Sequence, residues 1–136
     1  MTPQEMQSYL ESRIEVHNNH DLVALAEYFA ETAVWHYPGT EFSGWSQIRD
    51  FYAYVFRVLP DYRLTVDDLV AVDNKMAWRW HATATHTEST EGETPTGKSV
   101  NITGITLERL EQGKQIEAWI EYDRLGMRQQ LGLIPD

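Results

Sequence analysis

The chain has 136 residues, enough for one hydrophobic core, and 42% of them are apolar and 24% charged, a globular rather than disordered balance. Lys and Arg number 11 against 21 Asp and Glu, so the net charge of −10 repels polyanions and argues against nucleic acid and anionic membranes as partners. There is no Cys, which excludes disulfides, thiolate nucleophiles and thiolate metal sites.

The opening MTPQEMQSYLES is polar and acidic and lacks the basic and apolar regions of a signal peptide. No apolar run approaches the ~20 residues of a membrane span, so a cytoplasmic location is the default expectation. Thr2-Pro3, with Glu5 three residues after Thr2, starts a first helix whose stripe runs Met6, Leu10, Ile14, with Tyr9 and Val16 beside it. Asn18-Asn19-His20 ends it. Asp21 caps a second helix with Leu22, Leu25, Ala26 and Phe29 on one side. Thr32 to Tyr37 is β-rich and is stopped by Pro38-Gly39, after which a loop is expected. Ser43-Gly44 opens a third helix with the stripe Ile48, Phe51, Tyr52, Val55, Leu59, ended by Pro60.

From there the period changes to two. Tyr62, Leu64 and Val66 alternate with Arg63, Thr65 and Asp67, and Val70 and Val72 continue the strand to a turn at Asp73-Asn74-Lys75. Met76 to Thr87 is a strand with Trp78, Trp80, Ala82 and Ala84 on one face and Arg79, His81, Thr83 and Thr85 on the other. A polar loop spans Glu88 to Gly97, a long strand Lys98 to Leu110, and a hairpin turn tipped by Gly113 leads to the last strand, Gln115 to Tyr122. Asp123 caps a tail helix that Gly132 stops.

No repeat or linker is visible, so residues 1–136 read as a single domain. Three helices followed by four antiparallel strands predict an α+β fold with the helices on one face of a curved sheet; Gly104, mid-strand, is a candidate bulge or bend. Alternation turns Ile116, Ala118, Ile120 and Tyr122 inward with Val100, Ile102, Gly104 and Thr106. It turns Gln115, Glu117, Trp119 and Glu121 outward. Ile105, Leu107 and Trp119 then form an outward apolar patch, which predicts a homodimer through this sheet face. Five Trp and seven Tyr suggest a surface or cavity that uses amphipathic rings, or else an aromatic core.

Several segments resemble the SnoaL-like polyketide cyclases of the NTF2-like superfamily. They are Pro60-Asp61-Tyr62-Arg63-Leu64-Thr65-Val66-Asp67-Asp68-Leu69, Arg79-Trp80, Thr85-His86-Thr87, Pro95-Thr96-Gly97-Lys98, Gly113-Lys114, and the tail from Trp119 and Asp123 to Gly132. Trp35-His36-Tyr37-Pro38 and Ser43-Gly44 with Ile48-Arg49 match more weakly. The resemblance covers nearly the whole chain and implies a conical α+β barrel around a deep apolar cavity. It also implies cofactor-free intramolecular aldol chemistry on a polyketide-like carbonyl compound. In that family's aldol cyclases a His lies seven residues before the hairpin Gly and the acid–base Asp seven after it. Counted from Gly113, those positions here are Thr106 and Ile120, neither of which takes a proton from carbon.

The remaining candidates for proton transfer are Asp123, at the start of the tail helix, His86, on the parity of Trp78 and Trp80, and Tyr37, at a position that lines the pocket in relatives. Asp123 is also the natural N-cap of its helix. Trp35, Tyr52, Trp80, Thr106, Ile120 and Tyr122 are the expected ligand-binding residues. No two His sit at i, i+4 on a helix, so no metal site is expected, nor any cofactor. The leading reading is a cyclase or isomerase that moves a proton on a small aromatic carbonyl compound. The alternative is a non-catalytic protein that binds an apolar or aromatic ligand. An epoxide hydrolase of this fold ranks third: its Asp–Arg–Asp set, which would enlist Arg79, conflicts with strand parity.

Overall fold

The computed structural model describes residues 1–88 and 92–135. Helix α1 covers Pro3–Asn18, α2 Leu22–Leu25, α3 Trp45–Val58 and α4 Arg124–Gln130. The strands are β1 Phe29–Tyr37, β2 Thr40–Ser43, β3 Arg63–Val72, β4 Lys75–Thr85, β5 Ser99–Glu111 and β6 Lys114–Tyr122. Among the described residues the strands form one sheet in the order β2-β1-β6-β5-β4-β3. All neighbours are antiparallel except β1 and β6, which run parallel. The α+β class expected from the sequence holds, with two refinements. The sheet is mixed, and it ends at β2 and β3 without closing.

Local chemistry explains the boundaries. Thr2 and Glu5 form a reciprocal capping box at the start of α1, and Pro3 occupies its first turn. The second helix is shorter than expected. Asp21 caps it, but after Leu25 the chain tightens into a 3-10 turn at Ala26–Tyr28, and Phe29 already belongs to β1. Pairing with β6 overrides the helical spacing of Phe29. The expected loop after Gly39 is β2, joined to β1 by a tight turn between Tyr37 and Thr40. Gly44 opens α3 with a positive φ and no side-chain cap; Oε1 of Gln47 instead accepts from the Ser43 N–H at 2.8 Å. Gln112 and Gly113 both take positive φ between Glu111 and Lys114, the signature of a two-residue hairpin.

Two bulges redirect side chains. In β3 the register slips between Val66 and Asp68, so Leu69 and Ala71 turn inward while Val70 and Val72 are exposed. In β6, Leu110 pairs with Gln115 and Arg109 with Glu117, leaving Ile116 as the extra residue. The outward position expected for Gln115 is therefore corrected: Gln115 is buried and Ile116 only half-buried, while Ala118, Ile120 and Tyr122 keep the inward parity. Gly104 is no bulge against β4, where the register runs unbroken through it, and it is the last residue paired with β6. Its role is close approach. A Cβ there would sit 2.3 Å from the Trp80 ring, which lies across the glycine.

The core fills the concave side of the sheet. Met6 and Leu10 of α1, Leu25, and Ile48 and Phe56 of α3 pack on Phe29 and Trp35 of β1, Met76 to Ala84 of β4, and Ala118 and Ile120 of β6. On the convex side Ile105, Leu107 and Trp119 are exposed, as their parity requires. Trp119 stacks on His36 with ring centroids 5.1 Å apart. No helix among the described residues is long and apolar enough to cross a membrane.

Candidate functional site

Between the helices and the concave face lies a cavity of about 320 Å³. Its strand wall carries Trp78 and Trp80 of β4, Thr106 of β5 and Ile120 and Tyr122 of β6. Trp35 and Tyr37 of β1 adjoin them, Tyr52 and Val55 of α3 stand opposite, and Met127 and Leu131 close one side. Every expected ligand-binding residue is there: Trp35, Tyr52, Trp80, Thr106, Ile120 and Tyr122. Thr106 and Ile120 are register partners across β5 and β6, so the two positions seven residues either side of Gly113 face the cavity as neighbours. The Thr106 hydroxyl accepts from Nε1 of Trp80 at 3.1 Å.

The three expected proton-transfer residues separate. Tyr37 lines the cavity beside Tyr122; burial pushes its hydroxyl well above the ordinary tyrosine range, and its bond to the Tyr122 hydroxyl adds to that. His86 also lines the cavity and is fully buried; the backbone N–H of Thr96 donates to its Nδ1 at 3.1 Å. Asp123 is exposed and stands outside the lining. Its Oδ1 accepts from the Gly126 N–H at 2.8 Å and caps α4. The carboxylate packs so closely on Gly126 that a Cβ there would lie 2.1 Å from Oδ2. Arg79 projects from the convex face, 58% exposed, 3.7 Å from Asp67, so no epoxide-hydrolase triad forms around it.

The helical wall holds what the sequence reading missed. The buried stripe of α1 runs Met6, Leu10, Arg13, His17, so two polar residues continue it where Ile14 was expected. Arg13 reaches Glu108 of β5 through two parallel bonds, Nη1 to Oε1 at 2.7 Å and Nη2 to Oε2 at 2.8 Å. Glu108 also accepts from Nε1 of Trp78 at 2.8 Å and from Nε2 of Gln115 at 3.2 Å. Oε1 of Gln115 in turn accepts from Nε1 of Trp35 at 2.6 Å, so the β6 bulge delivers the amide that links both indoles to the ion pair. Burial would raise the Glu108 pKa, but the Arg13 charge and these bonds outweigh it and hold the carboxyl below its ordinary range. Burial likewise opposes the Arg13 charge, and Glu108 overcomes it. The pair is a neutral, fully bonded floor beneath the aromatic lining.

His17, one turn further along α1, is 4% exposed and lines the same cavity. Its neighbour Asn18 grips the backbone of Leu64 with both amide atoms: Oδ1 accepts from the Leu64 N–H at 2.9 Å and Nδ2 donates to the Leu64 carbonyl at 2.9 Å. That double contact fixes Oδ1 as an acceptor, so Nδ1 of His17, 3.0 Å away, must carry the proton it donates. The neutral ring therefore keeps a bare lone pair on Nε2. Burial pushes the His17 pKa down to about 4, against the pull of the Asn18 bond, so the ring is neutral at pH 7. Nε2 has no hydrogen-bond partner among the described residues, yet no buried side-chain nitrogen or oxygen among them lacks one. Nε2 thus opens onto the cavity. The same reasoning opens the hydroxyls of Tyr52 and Tyr62, both lining residues held protonated by burial.

Among the described residues no Asp or Glu lines this cavity, and no cluster of three His, Asp or Glu is arranged to hold a metal ion. Its polar groups are tyrosine and threonine hydroxyls, the Gln115 amide, the imidazoles of His17 and His86, and arginines that include the ion-paired Arg13.

Comparison with known proteins fixes the class. The model of the SnoaL-like polyketide cyclases matches residues 7–131. Wild-type IdmH of Streptomyces antibioticus, a candidate polyketide cyclase, superposes with a TM-score of 0.83 at 28% identity, over 93% of this chain and 97% of that one. AclR of Streptomyces galilaeus, a candidate hydroxylase, gives a TM-score of 0.89 at 24% identity, over 99% and 89%. TsrD of Streptomyces laurentii gives 0.88 at 22%, over 98% and 99%; these last two likenesses speak for the fold alone. No curated protein matches the chain in sequence. The fold is that of the NTF2-like α+β proteins. Within it, the chain belongs to the SnoaL-like polyketide cyclase family.

Proposed function

We propose that the chain takes a flat, largely apolar carbonyl compound into the cavity and isomerises or cyclises it by proton transfer between its own side chains and the ligand. The observation that carries this reading is the composition of the lining: aromatic walls around about 320 Å³, with partner-free tyrosine hydroxyls and a neutral imidazole at one end. The walls suit a planar ring system, the hydroxyls suit its carbonyl oxygen, and an imidazole is a proton acceptor. Family membership and the likeness to IdmH, named as a candidate polyketide cyclase, support the substrate class. The test is a titration with planar bicyclic ketones followed by Trp fluorescence, with proton exchange on the bound ketone read by NMR in D2O. Saturable binding with accelerated exchange supports the reading; no binding overturns it.

A second reading, a binding protein without chemistry, is favoured by one specific observation. The facing positions Thr106 and Ile120 offer no acid–base group. Binding without exchange would establish it. We also propose that a second copy of the chain covers Ile105, Leu107 and Trp119, which are 54%, 41% and 37% exposed on one sheet face. Sedimentation gives twice the chain mass if so, and the chain mass if not.

A further inference from the structure

We infer that the acid–base group of this site is His17 on α1, acting with the hydroxyls of Tyr52 and Tyr62, and that its substrate class is a ketone with an enolisable carbon beside the carbonyl. This rests on the proton-transfer reading above and names its machinery.

Three observations place the group. First, the Asn18 clamp on Leu64 sets the tautomer, so that Nδ1 carries the proton and Nε2 the lone pair. A histidine packed merely to fill space would not need its ring orientation dictated by a backbone-anchored amide. Second, Nε2 opens onto the cavity although the residue is 96% removed from solvent. Third, the ring meets Tyr52 and Tyr62 edge-on, with centroids 5.6 Å and 5.7 Å away, and both hydroxyls lack a partner among the described residues. An acceptor for a proton and two donors for an oxyanion therefore lie within one small ligand's length of each other.

The step balances without a further reactant. The Nε2 lone pair takes a hydrogen, as a proton, from the carbon beside the carbonyl. The C–H electron pair becomes the second bond between that carbon and the carbonyl carbon. The carbonyl π pair moves onto oxygen, where the O–H groups of Tyr52 and Tyr62 hold the enolate. The imidazolium then returns its proton to carbon, at the same or a conjugated position, and the neutral ring is restored. A base whose conjugate acid is weakly held still serves when buried donors stabilise the enolate oxygen, and it has the merit of being bare at neutral pH. Tyr52 and Tyr62 stay protonated because burial raises both hydroxyls. The arrangement also assigns a task to the Arg13–Glu108 pair as a positioning element. It anchors the α1 face one turn before His17 to the sheet.

The test uses 2-tetralone as probe. Hydrogen–deuterium exchange beside its carbonyl is followed by NMR for the wild type, His17→Gln and Tyr62→Phe, with binding measured in parallel by Trp quenching. The inference predicts that the wild type accelerates exchange. His17→Gln should bind within about threefold of the wild type and lose about a hundredfold in exchange. Tyr62→Phe, which keeps the ring and its packing, should lose about tenfold. If His17→Gln binds and exchanges like the wild type, His17 is not the base, while the proton-transfer reading survives. If the wild type binds but does not exchange the probe, both fail in favour of the binder. A measurement independent of turnover guards against misfolded variants. Nitrogen-15 spectra of the wild type should show His17 protonated at Nδ1 and bare at Nε2, with the Nε2 signal moving when 2-tetralone binds. A ring protonated at Nε2 overturns the inference.

Discussion

The two walls of the cavity make a contrast. The strand wall, where β5 and β6 bring Thr106 and Ile120 face to face, is chemically quiet: an alkyl group, and a hydroxyl already bonded to Trp80. The helical wall, built from α1 and α3, carries the polar chemistry: Arg13, ion-paired to Glu108 of β5, a tautomer-locked imidazole and a tyrosine hydroxyl without a partner among the described residues. The same fold can thus be supplied with polar groups from either side of its cavity, because helix and strand residues converge on one space. The lesson is that an inert strand pair does not by itself make an inert cavity.

Four predictions break or sharpen this contrast. The largest effect should come from Arg13→Met, which leaves the Glu108 carboxylate buried with only Trp78 and Gln115 as donors. Loss of one partner of a buried pair costs about 3 to 5 kcal/mol, read as a lower denaturation midpoint. A change within about 1 kcal/mol would mean that the floor is dispensable.

The second effect is pH-dependent. His17 has a folded pKa of about 4, below its ordinary 6.5, so between those values the folded chain binds fewer protons than the unfolded one. Its contribution is complete above about pH 6.5 and is lost as pH falls toward 4, about 3 kcal/mol in all. The charged and titratable groups around the ring are Arg13 and His20 in sequence, Tyr52 from α3 and Tyr62 before β3. Stability curves at pH 7, 5.5 and 4.5 for the wild type and His17→Phe should converge as pH falls; parallel curves would place His17 in a wet or charged setting.

Third, Gly104→Ala probes the strand wall. The new methyl would meet the Trp80 indole, so that ring must shift. A cost of about 1 to 3 kcal/mol and a changed Trp emission are expected. Smallest, Asp123→Ala removes the α4 cap and should cost about 1 kcal/mol while leaving 2-tetralone binding and exchange unchanged. Lost exchange in that variant would return the chemistry to the end of β6.

Much of the strand wall was legible in the sequence. Strict alternation in β4 and β5 put Trp78, Trp80, Val100, Ile102 and Thr106 inward, but a two-residue turn at Gly113 alone would pair Thr106 with Trp119, and the extra residue at Ile116 is what shifts its partner to Ile120. Aromatic richness pointed to the cavity. The helical wall was hidden for a physical reason. Arg13 and His17 sit at the spacing that continues Met6 and Leu10, but their polarity diverts a hydrophobic-stripe reading to Ile14. Glu108, on the inward parity of Thr106, was equally visible by position and equally masked by charge. Gln115 was beyond reach, since one extra residue at Ile116 reverses its face and a bulge leaves no mark in the alternation. The edge strand β2 is four residues long and mostly exposed, so no apolar pattern announced it. The parallel pairing of β1 with β6 joins segments about 80 residues apart that no local signal connects.

The most direct test of the central claim is a crystal structure with 2-tetralone bound. The account predicts the carbonyl oxygen within about 2.6–3.2 Å of the Tyr52 or Tyr62 hydroxyl, with the enolisable carbon facing Nε2 of His17. A ketone whose carbonyl points to Thr106 and Ile120, with His17 out of reach, would contradict it.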